Sequence, residues 1–226
     1  MVTTTKTGNK WLVLILVLMF GFLFYKMNSA DDFKRQQRER FKFGNLAKDA
    51  AAFATATGPS ALAFPTTQGA NAHSAALLLA QGNHDYNDTF FFIDHDDAQA
   101  LGKLIPQTVA SPDKDGQWQI DPDFARATLS VEFAANLPRY APPETTPVVW
   151  SRGLRPDGSW APDSPFAGRW GCVGFLDGHA DVLENGKLNG ENGTFFKYGT
   201  KTPTLNILEA LPPGAVILRA EPAAGM

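Results

Sequence analysis

The sequence predicts an α+β protein: a long amino-terminal membrane-plus-amphipathic helix leading into a head with a small antiparallel β-sheet. Three observations predict it. Residues 11–25, WLVLILVLMFGFLFY, carry no charge and are bracketed by Lys10 and Lys26. Helical patterns come early in the chain and strand patterns late, the order of an α+β fold rather than of alternating β-α units. Two apolar runs at 171–184 flank Asp177-Gly178, a pair suited to a tight hairpin turn with positive φ.

The apolar run reads as a single-pass anchor. Fifteen helical residues rise about 22 Å, whereas a hydrocarbon core wants roughly 20 residues. Snorkelling of Lys10 and Lys26 closes the gap, and Trp11 and Tyr25 stand where interfacial aromatics belong. A cleaved signal peptide ending near Ala30 and a buried soluble helix are the alternatives, the first with Asn28 where a small residue is preferred. Charge counting alone would place the carboxy-terminal side in the cytoplasm. That rule weakens before a long domain, so the expected location is the inner membrane with the head in the periplasm.

The chain is expected to comprise three regions: an amino-terminal tail and transmembrane anchor at 1–30, an amphipathic helix at 31–57, and a globular α+β head at 58–226. Phe33, Phe41, Leu46 and Phe53 can share an apolar side of the second region, Asp31 and Asp32 favour a helix start, and Gly58-Pro59 ends it. The basic residues at 34–42, interrupted by Glu39, read as a solvated face. A further helix is predicted over 70–81. Strands are predicted over 90–94, 117–120, 127–133, 147–154, 171–184 (as the hairpin), 195–199 and 215–220. A short helix is predicted at 204–211 with Thr204 as its cap.

Composition narrows the function. The chain has 226 residues and a net charge of −3, which gives no footprint for nucleic acid. Seventeen Phe and five Trp supply a core, and twenty Gly and sixteen Pro imply many turns. The single cysteine, Cys172, excludes an internal disulfide and sits in an apolar run, where an inert thiol is expected.

Candidate chemistry is sparse. Gly82-Asn83-His84-Asp85 matches one block of the calcineurin-like metallophosphoesterases, but no upstream acid lies in the Asp-x-His that such a two-metal site needs. The histidines are His73, His84, His95 and His179, in no ligand-like spacing. Asp113-Lys114-Asp115-Gly116 opens like a calcium loop, but Gln117 and Phe124 stand where an EF-hand needs ligands. A looser calcium loop from Asp113, Asp115 and either Asp121 or Asp123 is the one metal site retained, with Asp121 the preferred third ligand; otherwise no cofactor, no catalytic residue and no enzyme activity is expected.

The carboxy-terminal third resembles a known family. Thr146-Pro-Val-Val-Trp-Ser-Arg-Gly-Leu-Arg-Pro-Asp-Gly-Ser-Trp, then Asp163-Ser-Pro-Phe, then Val173-Gly-Phe-Leu-Asp-Gly-His-Ala resemble the prepilin-type processing-associated domain. Its phenylalanine-rich strand ending in Asp-Gly-His is matched by Phe175, Asp177, Gly178 and His179. Family members often carry a His ten positions before that Asp, where this chain has Ala167, and no acid precedes Asp31 where prepilins carry a glutamate. The resemblance implies a pilin-like, pseudopilin-type structural or assembly protein of a type II secretion or type IV pilus-like system. Its implied partners are the membrane, copies of itself, and other pseudopilins or secretion-machinery subunits. The rival readings are an exported or anchored calcium-binding module and, last, a metallophosphoesterase-like hydrolase.

Overall fold

A computed structural model describes residues 8–55, 64, 66, 70–82, 91–92, 105–184, 186–188 and 194–221; before Ala30, side chains are described only for Val17 and Met19. The chain divides into two compact units, Met1–Arg38 and Glu39–Met226. Helix α1 (Gly8–Ala54) contributes to both. In the first unit Val17, Met19 and Phe33 are exposed. Among the described residues no helix is long and apolar enough to cross a membrane. Most side chains of 11–25 lie outside that description, as do the segments carrying His84, Asp85 and His95.

The second unit is α+β. Its elements in chain order are the end of α1, α2 (Ala72–Gly82), β1 (Ala110–Pro112), β2 (Trp118–Ile120), α3 (Pro122–Arg126), β3 (Val131–Ala135), β4 (Pro147–Ser151), β5 (Trp170–Phe175), β6 (Ala180–Glu184), β7 (Lys187–Leu188), β8 (Phe195–Phe196), β9 (Pro203–Thr204), α4 (Ile207–Ala210) and β10 (Val216–Leu218). Six strands form one antiparallel sheet in the order β10-β3-β4-β5-β6-β7, and β1-β2 and β8-β9 are separate two-stranded ladders. The sheet is larger than the sequence predicts. Strands β3, β4 and β5 are buried along their whole length, so both faces are covered and simple alternation is lost.

One sheet face receives the end of α1. Phe43, Leu46, Ala47, Ala50 and Ala54 are buried, at intervals of three, four and seven residues that mark a single helix face. The predicted stripe differs. Phe41 is 72% exposed, because it lies two residues, about 200°, from Phe43 around the helix. Phe33 is likewise exposed, while Leu46 is buried and Phe53 is partly buried against the core. The small residues decide the packing. A side chain at Gly174 of β5 would put its Cβ 2.7 Å from Ala47 Cβ, 2.9 Å from Val149 Cγ1 and 3.1 Å from the Phe43 carbonyl oxygen. The helix backbone therefore rests nearly on the strand. Beyond it Phe53 stacks on Phe64, which meets Phe133 of β3 edge-on.

Other boundaries shift for local reasons. Phe91 and Phe92 are buried but not in a strand, and Phe91 is helical. α4 is capped by Asn206, whose side chain accepts the Leu208 N–H, not by Thr204. Thr204 belongs to β9, and its hydroxyl donates to Glu209. Asp121 caps α3, accepting from the Asp123 and Phe124 N–H groups.

Gly174→Ala is expected to destabilise the fold by about 1–3 kcal/mol through overpacking. A lower urea midpoint with an unchanged transition slope would show it. An unchanged midpoint would mean that α1 does not lie this close to β5.

Candidate functional site

The Phe175, Asp177, Gly178, His179 motif lies at the turn of the β5–β6 hairpin, beside the seam where Gly174, Gly178 and Ala180 meet α1. The loop between these strands is 176–179, and the Gly178 N–H donates to the Phe175 carbonyl at 2.9 Å. Gly178 has φ +86°, while Asp177 keeps an ordinary backbone conformation. The turn is therefore not the two-residue Asp-Gly turn that the sequence predicts. Two further bonds pin it to the loop before β4: Leu176 N–H to the Thr146 carbonyl at 3.1 Å and Asp177 N–H to the Pro143 carbonyl at 3.2 Å.

Each motif residue has a definite task there. Asp177 Oδ1 accepts the His179 backbone N–H at 3.0 Å and lies within hydrogen-bond distance of His179 Nδ1. The His179 ring lies flat on Phe175, centroids 4.4 Å apart and planes 6° from parallel. Gly178 is needed twice. Its φ suits glycine, and a Cβ there would fall 2.3 Å from Lys48 Cγ on α1. One turn earlier on α1 Gly44 sits over the Gly178 carbonyl.

Arg40 completes the seam. The Phe175 N–H donates to the His179 carbonyl at 2.9 Å, so the adjacent pair Gly174 and Ala180 turns its backbone groups outward. β7 pairs with β6 at Leu183 and Glu184, and among the described residues no strand neighbours Ala180 on that side. Arg40 Nε donates to the Ala180 carbonyl, and its NH2 group bonds Asp181 Oδ1 at 2.9 Å. Burial pushes the Asp181 carboxyl up from its ordinary value, with Arg40 and then His179 pulling it back. Glu39 is fully buried beside this seam, with Lys42 Nζ 3.5 Å from its Oε2. The 34–42 segment is thus not wholly a solvated face. Cys172 lies two residues before Gly174, fully buried, and burial raises its thiol well above the ordinary range. It stays protonated at neutral pH, which removes the thiolate that nucleophilic chemistry needs.

A second polar group lies across β3, β4 and the end of β10. Glu132 and Trp150 are register partners, and the indole N–H donates to Glu132 Oε2 at 2.9 Å. Arg219 reaches the same oxygen at 3.2 Å. Burial raises the Glu132 carboxyl, offset in part by Arg219 and by the Trp150 hydrogen bond. Sequence reading does not find this group, although a lone Glu inside the apolar run 127–133 is a signal that a buried partner exists.

The candidate calcium ligands have backbone work. Asp113 Oδ1 accepts the Asp115 and Gln117 N–H groups at 2.8 and 2.9 Å, closing the β1–β2 hairpin, and these bonds hold its carboxyl below the ordinary value. Asp121 is the α3 cap, and Asp115 contributes its N–H to the turn. Among the described residues no group of three or more His, Cys, Asp and Glu side chains is placed to hold a metal ion. No family model matches the chain, and neither a curated protein nor a solved structure matches it.

Arg40→Ala should cost about 1–3 kcal/mol, because it leaves the buried Asp181 carboxylate and the Ala180 carbonyl without their donor. Adding Asp181→Asn should recover part of that loss, since a neutral amide is cheaper to bury. Additive losses in a urea double-mutant cycle would mean that the two side chains are not coupled.

Proposed function

We propose that the chain is a membrane-anchored, non-enzymatic pseudopilin-like protein of a type II secretion or type IV pilus-like system, acting by helix and head packing. The observation that carries this reading is the partnership of one helix with one hairpin. The helix containing the apolar run 11–25 has its last turns built into an antiparallel sheet. The hairpin residues it meets include Gly174 and Gly178, and Gly178 belongs to the Phe175, Asp177, Gly178, His179 motif, whose two rings stack on each other. The α+β architecture, with a long amino-terminal helix and an antiparallel sheet, is what a pilin-like plan requires. In this reading the anchor sits in the inner membrane and the head in the periplasm. The Asp-Gly-His loop is structural: it fixes the hairpin against α1 rather than binding a substrate.

The intact mass and amino terminus of protein recovered from native membranes test the proposal. Loss of the first eight residues with a methylated Asn9 would support a processed filament subunit. An unprocessed chain would support a fixed anchor with an accessory role. A chain starting near Asp31 would be a soluble exported domain and would overturn the proposal.

A charge within the apolar run probes the assembly role. Leu16→Arg or Phe20→Arg should abolish membrane retention and self-crosslinking, given the roughly 2.5–3.5 kcal/mol cost of a central charge in a spanning helix. Variants that still assemble would show that this helix is not the assembly element.

A further inference from the structure

Helix α2, AHSAALLLAQG, has a single ionisable side chain, His73, and it is only 3% exposed. His73 Nε2 lies 2.7 Å from the Ala127 carbonyl oxygen. A carbonyl can only accept, so Nε2 carries the proton of the neutral ring and Nδ1 is bare. Nδ1 is buried and has no hydrogen-bond partner. The ring stands edge-on to Phe124, 5.6 Å between centroids, and Phe124 meets Phe91 and Phe92 edge-on in turn. A second proton would place a cation in this aromatic nest, on a buried nitrogen that has no hydrogen-bond partner.

The bond joins two parts of the head that lie far apart in sequence. On one side is α2, which also donates its Ala72 N–H to the Arg219 carbonyl. On the other is the segment from α3 to Ala127 that connects β2 to β3. The charged groups on the described elements around His73 are engaged elsewhere. Asp121 caps α3, Asp123 pairs with Arg126, and Glu132 bonds Trp150 and Arg219. Glu221 acts on Glu132, and its backbone carbonyl accepts from Asn71. β2, Trp118–Ile120, has no ionisable side chain.

We propose that His73 is an acid-operated latch: protonation of its buried imidazole loosens α2 from the α3–Ala127 segment while the six-stranded sheet stays folded. Burial is the main cause that holds the ring below the ordinary histidine value of 6.5, and the Ala127 and Phe124 carbonyls offset part of it. The closed state thus binds a proton more weakly than the open state. Its advantage is complete above 6.5 and is lost as pH falls through the lower folded value.

Hydrogen exchange of the full chain, followed by mass spectrometry at pH 7.5 and 5.0 and normalised to intrinsic rates, tests the latch. Amides of 72–82 should open up to about 30-fold more readily at pH 5.0, the limit for a group that titrates at 6.5 only when open. Amides of β5 and β6 should not change with them. His73→Gln keeps an N–H for Ala127 but cannot titrate, so its α2 protection should be the same at both pH values. Equal protection of α2 in the unmodified chain, or the same loss in His73→Gln, would overturn the proposal. If His73→Gln does not fold, the His73 C2–H proton resonance of the unmodified chain decides: a midpoint below 6.5 supports the latch, and one at or above it overturns it.

Discussion

The head depends on a contact in which side chains are missing rather than present. α1 lies on β5 at a point where Gly174 has no side chain and α1 offers only Ala47 and the Phe43 backbone. Because the helix is that close, its neighbours fall within reach of the hairpin. Lys48 passes over Gly178, and Arg40 arrives at Ala180 and Asp181. A larger residue at either glycine would push the helix outward and break the polar contacts as well as the packing. Apolar burial supplies the drive, but the small residues fix where the helix stops.

Polar groups buried around that core are arranged as local closures. Arg40 occupies a stretch of β6 that no strand covers among the described residues, and Glu132 joins β3 and β4 to the segment after β10. Neither ion pair is an efficient stabiliser, since desolvation consumes much of the attraction. Their value lies in the penalty for losing a partner: a buried carboxylate without its donor is costlier than the pair was helpful. Such groups restrict the sheet to one register more than they deepen its stability.

Much of this architecture is legible in the residues. The helix after the apolar run, α2, the hairpin at 171–184 and the strands near 118–120, 131–135, 147–151 and 216–218 arise from periodicity and turn residues. The remainder is hidden for physical reasons. β1 contains Pro112 and exists because β2 pairs with it, not because of its own propensity. Thr204 and Asn206 both suit a helix cap, and only tertiary pairing commits Thr204 to a strand. The buried face of α1 departs from the phenylalanine stripe because close contact with a glycine favours alanine over a larger side chain. In the site, the Phe-Asp-Gly-His motif is visible in sequence. Its partners Arg40, Gly44 and Lys48 are not, since no local pattern links them to a hairpin more than a hundred residues later.

The strand order has a consequence for how the head comes into being. β10 lies beside β3, so residues 216–218 complete the sheet next to residues 133–135. Leu129 and Ala72 also give their N–H groups to carbonyls of Ala220 and Arg219. During synthesis β3 must therefore wait for residues 216–220, made some eighty positions later, with one edge open and Ala72 without the Arg219 carbonyl. Before β10 leaves the ribosome, the head is an unfinished sheet that another chain could join. A chaperone that shields such an edge would matter most in the interval between the synthesis of β3 and that of β10.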